Sequence, residues 1–421
     1  MIKIFKGNIL FTATPEKFTI VKDGYIVVND KKVEGIFEEL PEIYKEFQLE
    51  VNTDGLIIPG FNDIHVHAPH WVNVGMGLSL ELLPWLKKYT FAVENKFKDT
   101  NFAKKAYEEF IKEMKKQGTT RACIFATLHK DSTKVLIDLL RKSGMGAFVG
   151  KVNMDRNSIP ELTETTNDSI ADTIELIEWF NDTIEDNDLV NYILTPRYVP
   201  CTTSELMKKL GEISKKYNVP VQSHLDENRD EIEWVKDLHP ESRDFTSVYY
   251  EHDLMPKGKT IMAHCIHCNE SELKMLKEQN VMIAHCAQSN ADLSSGIMPL
   301  RKYLNLGLNV GLASDVGGGH SLNMREHIVE TIKTSKLYWT LNRDYEKLSF
   351  SEAFYLATKG SGSFFGKVGS FEKDYDFDAL IIDDANLLNE LPHDFEERLE
   401  RFIYIGSHEN IVKKYVAGKE I

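Results

Sequence analysis

Cysteine is scarce in this 421-residue chain: there are five, an odd number. A sparse, odd set without secretory context argues against a disulfide framework and for reduced thiols. The single Cys-x-x-Cys, Cys265 and Cys268 in "AHCIHC", has no second pair to complete it. A structural zinc site needs four ligands, so buried thiols near a strand end are the expectation. Positive charge is also in short supply, with 50 Lys and Arg against 65 Asp and Glu, a net charge of −15. Such a surface repels phosphate backbones and anionic lipid, so neither nucleic acid nor membrane is expected as a partner. No hydrophobic run is long enough to span a bilayer, and "ILFTA" near the start is too short for a signal-peptide core. A cytoplasmic location is therefore expected. Low-complexity tracts and solenoid-period repeats are lacking too.

What is present is an ordinary globular balance, 42% hydrophobic and 27% charged. Eight near-continuous apolar runs stand out: "GLIIPGFNDIHVH" (55–67), "TTRACIFAT" (119–127), "GAFVGKV" (146–152), "VNYILTPRYV" (190–199), "VPVQSHLDE" (219–227), "TIMAHC" (260–265), "VMIAHC" (281–286) and "NVGLASDV" (309–316). Runs of this kind suit strands covered on both faces. Helical periodicity fills the gaps. In 101–118, Asn101 is the expected N-cap, Phe102, Ala106, Phe110 and Met114 share a face, and Gly118 ends the helix. Ile170, Ile174, Ile177 and Ile184 repeat the period, as do Leu206, Leu210, Ile213 and Tyr217 after a capping Ser204. Alternating strands and helices predict an α/β fold, a (β/α)8 TIM-type barrel over 59–365. Both chain ends, 1–58 and 366–421, read instead as short alternating strands. Neither is long enough for a comfortable core of its own. They are expected to combine into one small β-sandwich domain flanking the barrel.

"FNDIHVHAPHW" (61–71) carries three histidines at the end of the first run. Residues two apart in a strand point the same way, so His65 and His67 converge at the carboxyl end, where barrel enzymes keep their active sites. Two imidazoles aimed at one point suit a metal ion, although an H-x-H alone is a weak motif. Other polar residues end other strands: His224 the fifth, His264 the sixth, His285 the seventh and Asp315 the eighth. Polar groups inside apolar strands are costly unless paired or metal-bound. Four or five at equivalent positions do not suit packing, while for His285 taken alone a core histidine is the simpler reading. Alternation places Asp226 rather than Glu227 beside His224, so spacing leaves the proton-transfer carboxylate open.

These residues lie in motifs that resemble the amidohydrolase superfamily and, within it, the guanine deaminase branch. The motifs are "PGFNDIHVHA" (59–68), "LLPWLKKYTF" (82–91), "GTTRACIFATLHKDS" (118–132), "TPRYV" (195–199), "QSHLDENRDE" (222–231), "MAHC" (262–265), "IAHCAQSN" (283–290) and "LASDVGGG" (312–319). The resemblance implies hydrolytic deamination of an aminated fused heterocycle, guanine to xanthine and ammonia first among them. It implies His65, His67, His224 and Asp315 as ligands of one divalent metal. Zinc comes first and Fe2+ is the alternative, since both accept imidazole and carboxylate. It implies Glu227 as proton shuttle, with His264 and Asp315 beside it on the attacking water, and Arg197 and Tyr198 as substrate contacts; His70 and Trp71 are expected at the same substrate-binding corner. It also implies a nucleobase-like substrate and a homodimer.

Two features qualify the expectation. The fourth strand has no lysine to bridge a second metal, and Lys151 on the third is read as a core-edge or surface lysine, so one ion is expected. Relatives of this type usually carry Gln where this chain has His70, flanked by Trp71, and Tyr198 stands where Phe is common. A Gln amide offers paired donor and acceptor; one imidazole does not. A related amino-purine or amino-pteridine therefore competes with guanine as substrate. A cyclic-amide hydrolase and a non-catalytic scaffold barrel are disfavoured by the missing bridging lysine and the retained ligand positions. The smaller zinc deaminase fold is disfavoured because its P-C-x-x-C is absent.

Overall fold

The computed structural model describes residues 1–186 and 188–421. Its centre is a ring of eight parallel strands: Phe61–His67, Thr119–Phe125, Gly146–Gly150, Val190–Tyr192, Val221–Leu225, Thr260–His264, Met282–His285 and Asn309–Leu312. Ladders join the first four and the last four into two arcs. Backbone bonds connect the arcs at both seams. Leu194 N donates to Pro220 O and Gln222 N to Leu194 O, each at 2.9 Å. Opposite, Asp315 N donates to His65 O at 2.9 Å and His67 N to Val316 O at 3.0 Å. The (β/α)8 barrel is thereby closed, and its second strand is buried at every position, which accounts for the near-continuous apolar run.

The outer helices lie where the periodicity places them, but with shifted ends and a partly shifted face: Phe102, Ala106, Ile170 and Ile174 are only half-buried. Helix Thr100–Lys116 buries Ala103, Tyr107, Phe110, Ile111 and Met114. Its cap is Asp99, whose carboxylate accepts from Asn101 N, rather than Asn101 itself. Gly118 follows at φ +88°, a left-handed conformation that favours glycine. Helix Ser204–Tyr217 is capped one residue earlier than expected, by Thr203. Helix Thr166–Thr183 ends before Ile184, which is exposed.

Strands from both chain ends share one seven-stranded sheet in the order Lys419–Glu420, Ile411–Val416, Ala379–Ile382, Leu49–Pro59, Ile2–Thr14, Lys17–Asn29, Lys32–Phe37. The sheet curls on itself: Val33 N donates to Tyr375 O and Phe377 N to Lys31 O, joining its last strand to the segment that leads into Ala379. Phe5, Phe371, Phe377 and Tyr415 pack inside the curl. The first apolar run is therefore two strands. Leu49–Pro59 belongs to the sheet and Phe61–His67 to the barrel, with Gly60 between. A Cβ on Gly60 would lie 2.2 Å from Thr120 Cγ2, so only glycine passes there. Arg121, buried on the second barrel strand, ties the two parts together through ion pairs to Asp378 (2.7 Å) and Asp376 (3.0 Å). Among the described residues, no helix is long and apolar enough to cross a membrane.

Candidate active site

His65, His67, His224 and Asp315 meet at the carboxyl end of the ring, their ligand atoms all within 4.8 Å of one another. His67 Nε2 and His224 Nε2 are 3.1 Å apart, and Asp315 Oδ1 lies 3.2 Å from His65 Nε2 and 3.3 Å from His67 Nε2. The Phe125 ring packs against all three imidazoles, at 4.9, 4.6 and 5.0 Å between centroids. Burial lowers the basicity of all three rings, well below the usual histidine range for His67 and His224. Burial pushes the Asp315 carboxyl up, but its closeness to the His65 and His67 rings outweighs this and holds it well below the carboxylate range. The result is three neutral nitrogens and one carboxylate turned toward a common point. Neither ring nitrogen of His65 has a hydrogen-bond partner among the described residues. Lone pairs that crowd together without a proton between them suit a divalent cation with imidazole and carboxylate ligands. Outer contacts orient the set: His224 Nδ1–H donates to Arg197 O at 2.6 Å, and Ser289 Oγ donates to Asp315 Oδ2 at 2.6 Å.

The backbone turns Glu227, rather than Asp226, toward the cluster. The fifth strand stops at Leu225, and Asp226 enters the left-handed region at φ +48°. That turn breaks the alternation. Asp226 faces away, accepting from Cys268 Sγ at 3.1 Å. Glu227 Oε2 instead lies 3.4 Å from His264 Nε2, and its Oε1 accepts from Ser295 Oγ at 3.2 Å. Burial and the Asp315 charge push the Glu227 carboxyl well above its usual range. His264, at φ +72°, has its ring set by Nδ1–H donating to Asn290 Oδ1 at 2.9 Å, leaving Nε2 3.7 Å from Asp315 Oδ2.

Above this cluster lies a half-open cavity of about 390 Å3, counting its space open to solvent, lined by His67, His224, Glu227 and Asp315 below and by Leu86, Tyr198 and Leu293 at its sides. His70 and Arg197 also line it, but Trp71 does not. Trp71 is half-buried against the main core, because the 3-10 turn Ala68–Asn73 that sends His70 inward carries its neighbour elsewhere. The tryptophan at the cavity is Trp85. The sequence reading also missed Glu94, which is buried on the short helix Phe91–Glu94. Glu94 Oε1 accepts from His70 Nε2 at 2.5 Å and from Arg197 Nη1 at 2.7 Å, and Oε2 accepts from the same Nη1 at 2.8 Å. Three residues beyond "LLPWLKKYTF", an acidic residue among apolar ones was the available clue. Ser289 and Asn290 sat within "IAHCAQSN" without any feature in the sequence to mark their roles.

Other polar residues stay outside this cluster. His285 is buried and no hydrogen-bond partner of either ring nitrogen is found among the described residues. Lys151 is fully buried, paired with Glu164 at 2.6 Å and donating to Val152 O, so the surface alternative does not apply. Asp226, Cys268 and Glu272 bring three ligand-type atoms together. Their hydrogen bonds are internal, with Glu272 capping the helix Glu270–Glu278 and accepting from Thr246 N.

The model of the amidohydrolase family matches residues 56–421. The chain belongs to the amidohydrolase family. This amidohydrolase is 37% identical to a guanine deaminase of Dictyostelium discoideum, over all of this chain and 98% of the relative. It is 32% identical to the guanine deaminase of Escherichia coli strain K12, over 95% of this chain and 91% of that one. A crystal structure of the C. acetobutylicum guanine deaminase, with guanine bound in its active site, superposes with a TM-score of 0.97 at 51% identity, each chain covered completely.

Proposed function

We propose that this amidohydrolase converts guanine and water to xanthine and ammonia, with one divalent metal, zinc first, held by His65, His67, His224 and Asp315. The observation that carries the reading is a donor set of three imidazoles and a carboxylate lying directly beneath a cavity and beside a buried carboxyl group, Glu227, whose proton is held more tightly than usual. Full-length similarity to guanine deaminases, one of them holding guanine, supports the choice of substrate. An ion bound here supplies Lewis acidity, which brings the pKa of water to about 7. Asp315, steadied by Ser289, takes a proton from the attacking water. Glu227 delivers its proton to the ring nitrogen beside the attacked carbon, takes a second from the added hydroxyl and delivers that one to the departing amine. His264, fixed by Asn290, faces both carboxylates and steadies the charge that develops between them. The new C–O bond replaces the C–NH2 bond, ammonia leaves with the second proton that Glu227 carried, and the proton on Asp315 returns to Glu227 for the next cycle. Arg197, Tyr198 and His70 bind the heterocycle. A homodimer in the cytoplasm completes the reading; light scattering tests the assembly.

The test is ammonia release by the purified, zinc-loaded protein from guanine and from a panel of amino-purines and amino-pteridines. Turnover of guanine above the panel is expected. No release from guanine while another heterocycle is turned over would sink the assignment.

A further inference from the structure

We infer that a second cavity, beside the one above the metal ligands, is an outer binding site for a flat oxopurine ring. The inference rests on the guanine reading above and adds a second seat for the same class of heterocycle.

This outer cavity measures about 780 Å3, counting its space open to solvent. Leu86 and Tyr198 line both cavities, so a pair of side chains divides them. The other walls are mainly apolar, made by Leu83, Phe91, Ile159 and Trp234. Lys87, an exposed residue, is the one charged side chain among the described residues that line it. A phosphate would meet a single cation there, and a cationic ligand no carboxylate at all. A flat heterocycle instead meets the rings of Phe91 and Trp234, and bases stack on aromatic side chains whatever pattern of donors and acceptors their edges carry.

Local geometry builds the chamber. Residues five apart diverge on an α-helix, which has about 3.6 residues per turn. Here the helical stretch widens into a π-turn over Leu86–Thr90, and Phe91 N donates to Leu86 O. That turn sets Phe91 beside Leu86 on the cavity wall. Trp234 comes from the helix Arg229–Leu238, which begins two residues after Glu227. Ile159 comes from the segment that follows the third barrel strand, and its neighbours tie that segment down. Arg156 Nη2 donates to Val199 O at 2.9 Å and to His239 Nε2 at 3.2 Å, and Asn157 Nδ2 donates to Pro200 O at 2.8 Å. These bonds join it to the turn after Tyr198 and to the end of the Trp234 helix. Walls fixed in this way spare the ordering cost of binding. A ring seated there is one partition away from the metal ligands, so it can be held outside while the inner cavity is occupied.

The test is equilibrium dialysis of zinc-loaded wild type, W234A and I159W against radiolabelled xanthine, followed to saturation. Wild type should hold two xanthines per chain. W234A removes a stacking face and I159W fills the chamber, so each should hold one while keeping its zinc. One xanthine per chain in wild type, or two in either variant, overturns the inference. If neither variant folds, crystals of wild type soaked in xanthine decide. A second ring against Trp234 and Phe91 supports the inference, and density in the inner cavity alone overturns it. Failure of zinc-loaded wild type to release ammonia from guanine sinks the functional reading instead. The dialysis needs no turnover, which keeps the two failures apart.

Discussion

Replacing Glu227 with Gln removes the acidic proton that can be transferred and changes almost no volume. The structure sets the size of the effect. Glu227 is not among the four converging ligands, so metal content should stay at one ion per chain. Its one side-chain hydrogen bond to protein, from Ser295 at 3.2 Å, is to an acceptor that a Gln amide retains. Relieving a buried carboxyl of its charge cost offsets part of what is lost, so stability should change by about 1 kcal/mol or less. Turnover should fall by about 10²–10⁴, the range for a general acid–base group, or about 3–5 kcal/mol in the barrier. The assay is conversion of guanine to xanthine followed by absorbance, with ammonia measured in parallel, metal by mass spectrometry and melting by calorimetry. D226N is the control. Asp226 points to Cys268, away from the cavity, and its substitution should cost less turnover than E227Q. The reasoning is refuted if E227Q with full metal stays within tenfold of wild type, or if D226N proves the more damaging change.

Chelation should abolish ammonia release and lower Tm, because the ion binds only the folded state; Zn2+ should restore both, and activity persisting in metal-depleted protein would contradict the site. R121M should destabilise by about 3–5 kcal/mol, the usual cost of leaving buried charges unpaired, here Asp376 and Asp378; urea midpoints check it. Glu94 has its folded pKa depressed to about 2 from 4.5. Its stabilising contribution, about 3 kcal/mol, is full above pH 4.5 and lost as pH falls toward 2. The stability advantage of metal-free wild type over E94Q should therefore shrink on acidification through that window, and an advantage that grew would overturn the sign.

The eight apolar runs were legible because a strand buried on both faces writes its environment into consecutive residues. The H-x-H pair was legible for the same reason: period two is a local property of backbone geometry. Even the strand-end positions of His224, His264 and Asp315 could be read once the ring was assumed. The tertiary structure alone settled what depends on one turn or on distant partners. A left-handed residue at 226 decided which carboxylate faces His264. The pairing of Glu94 with Arg197 spans 103 positions, and no periodicity encodes it. Trp85 rather than Trp71 lines the cavity because a 3-10 turn, not a strand, follows His67. Local order comes from neighbours in the chain. The site comes from closing the ring, which brings side chains together that share no local rule.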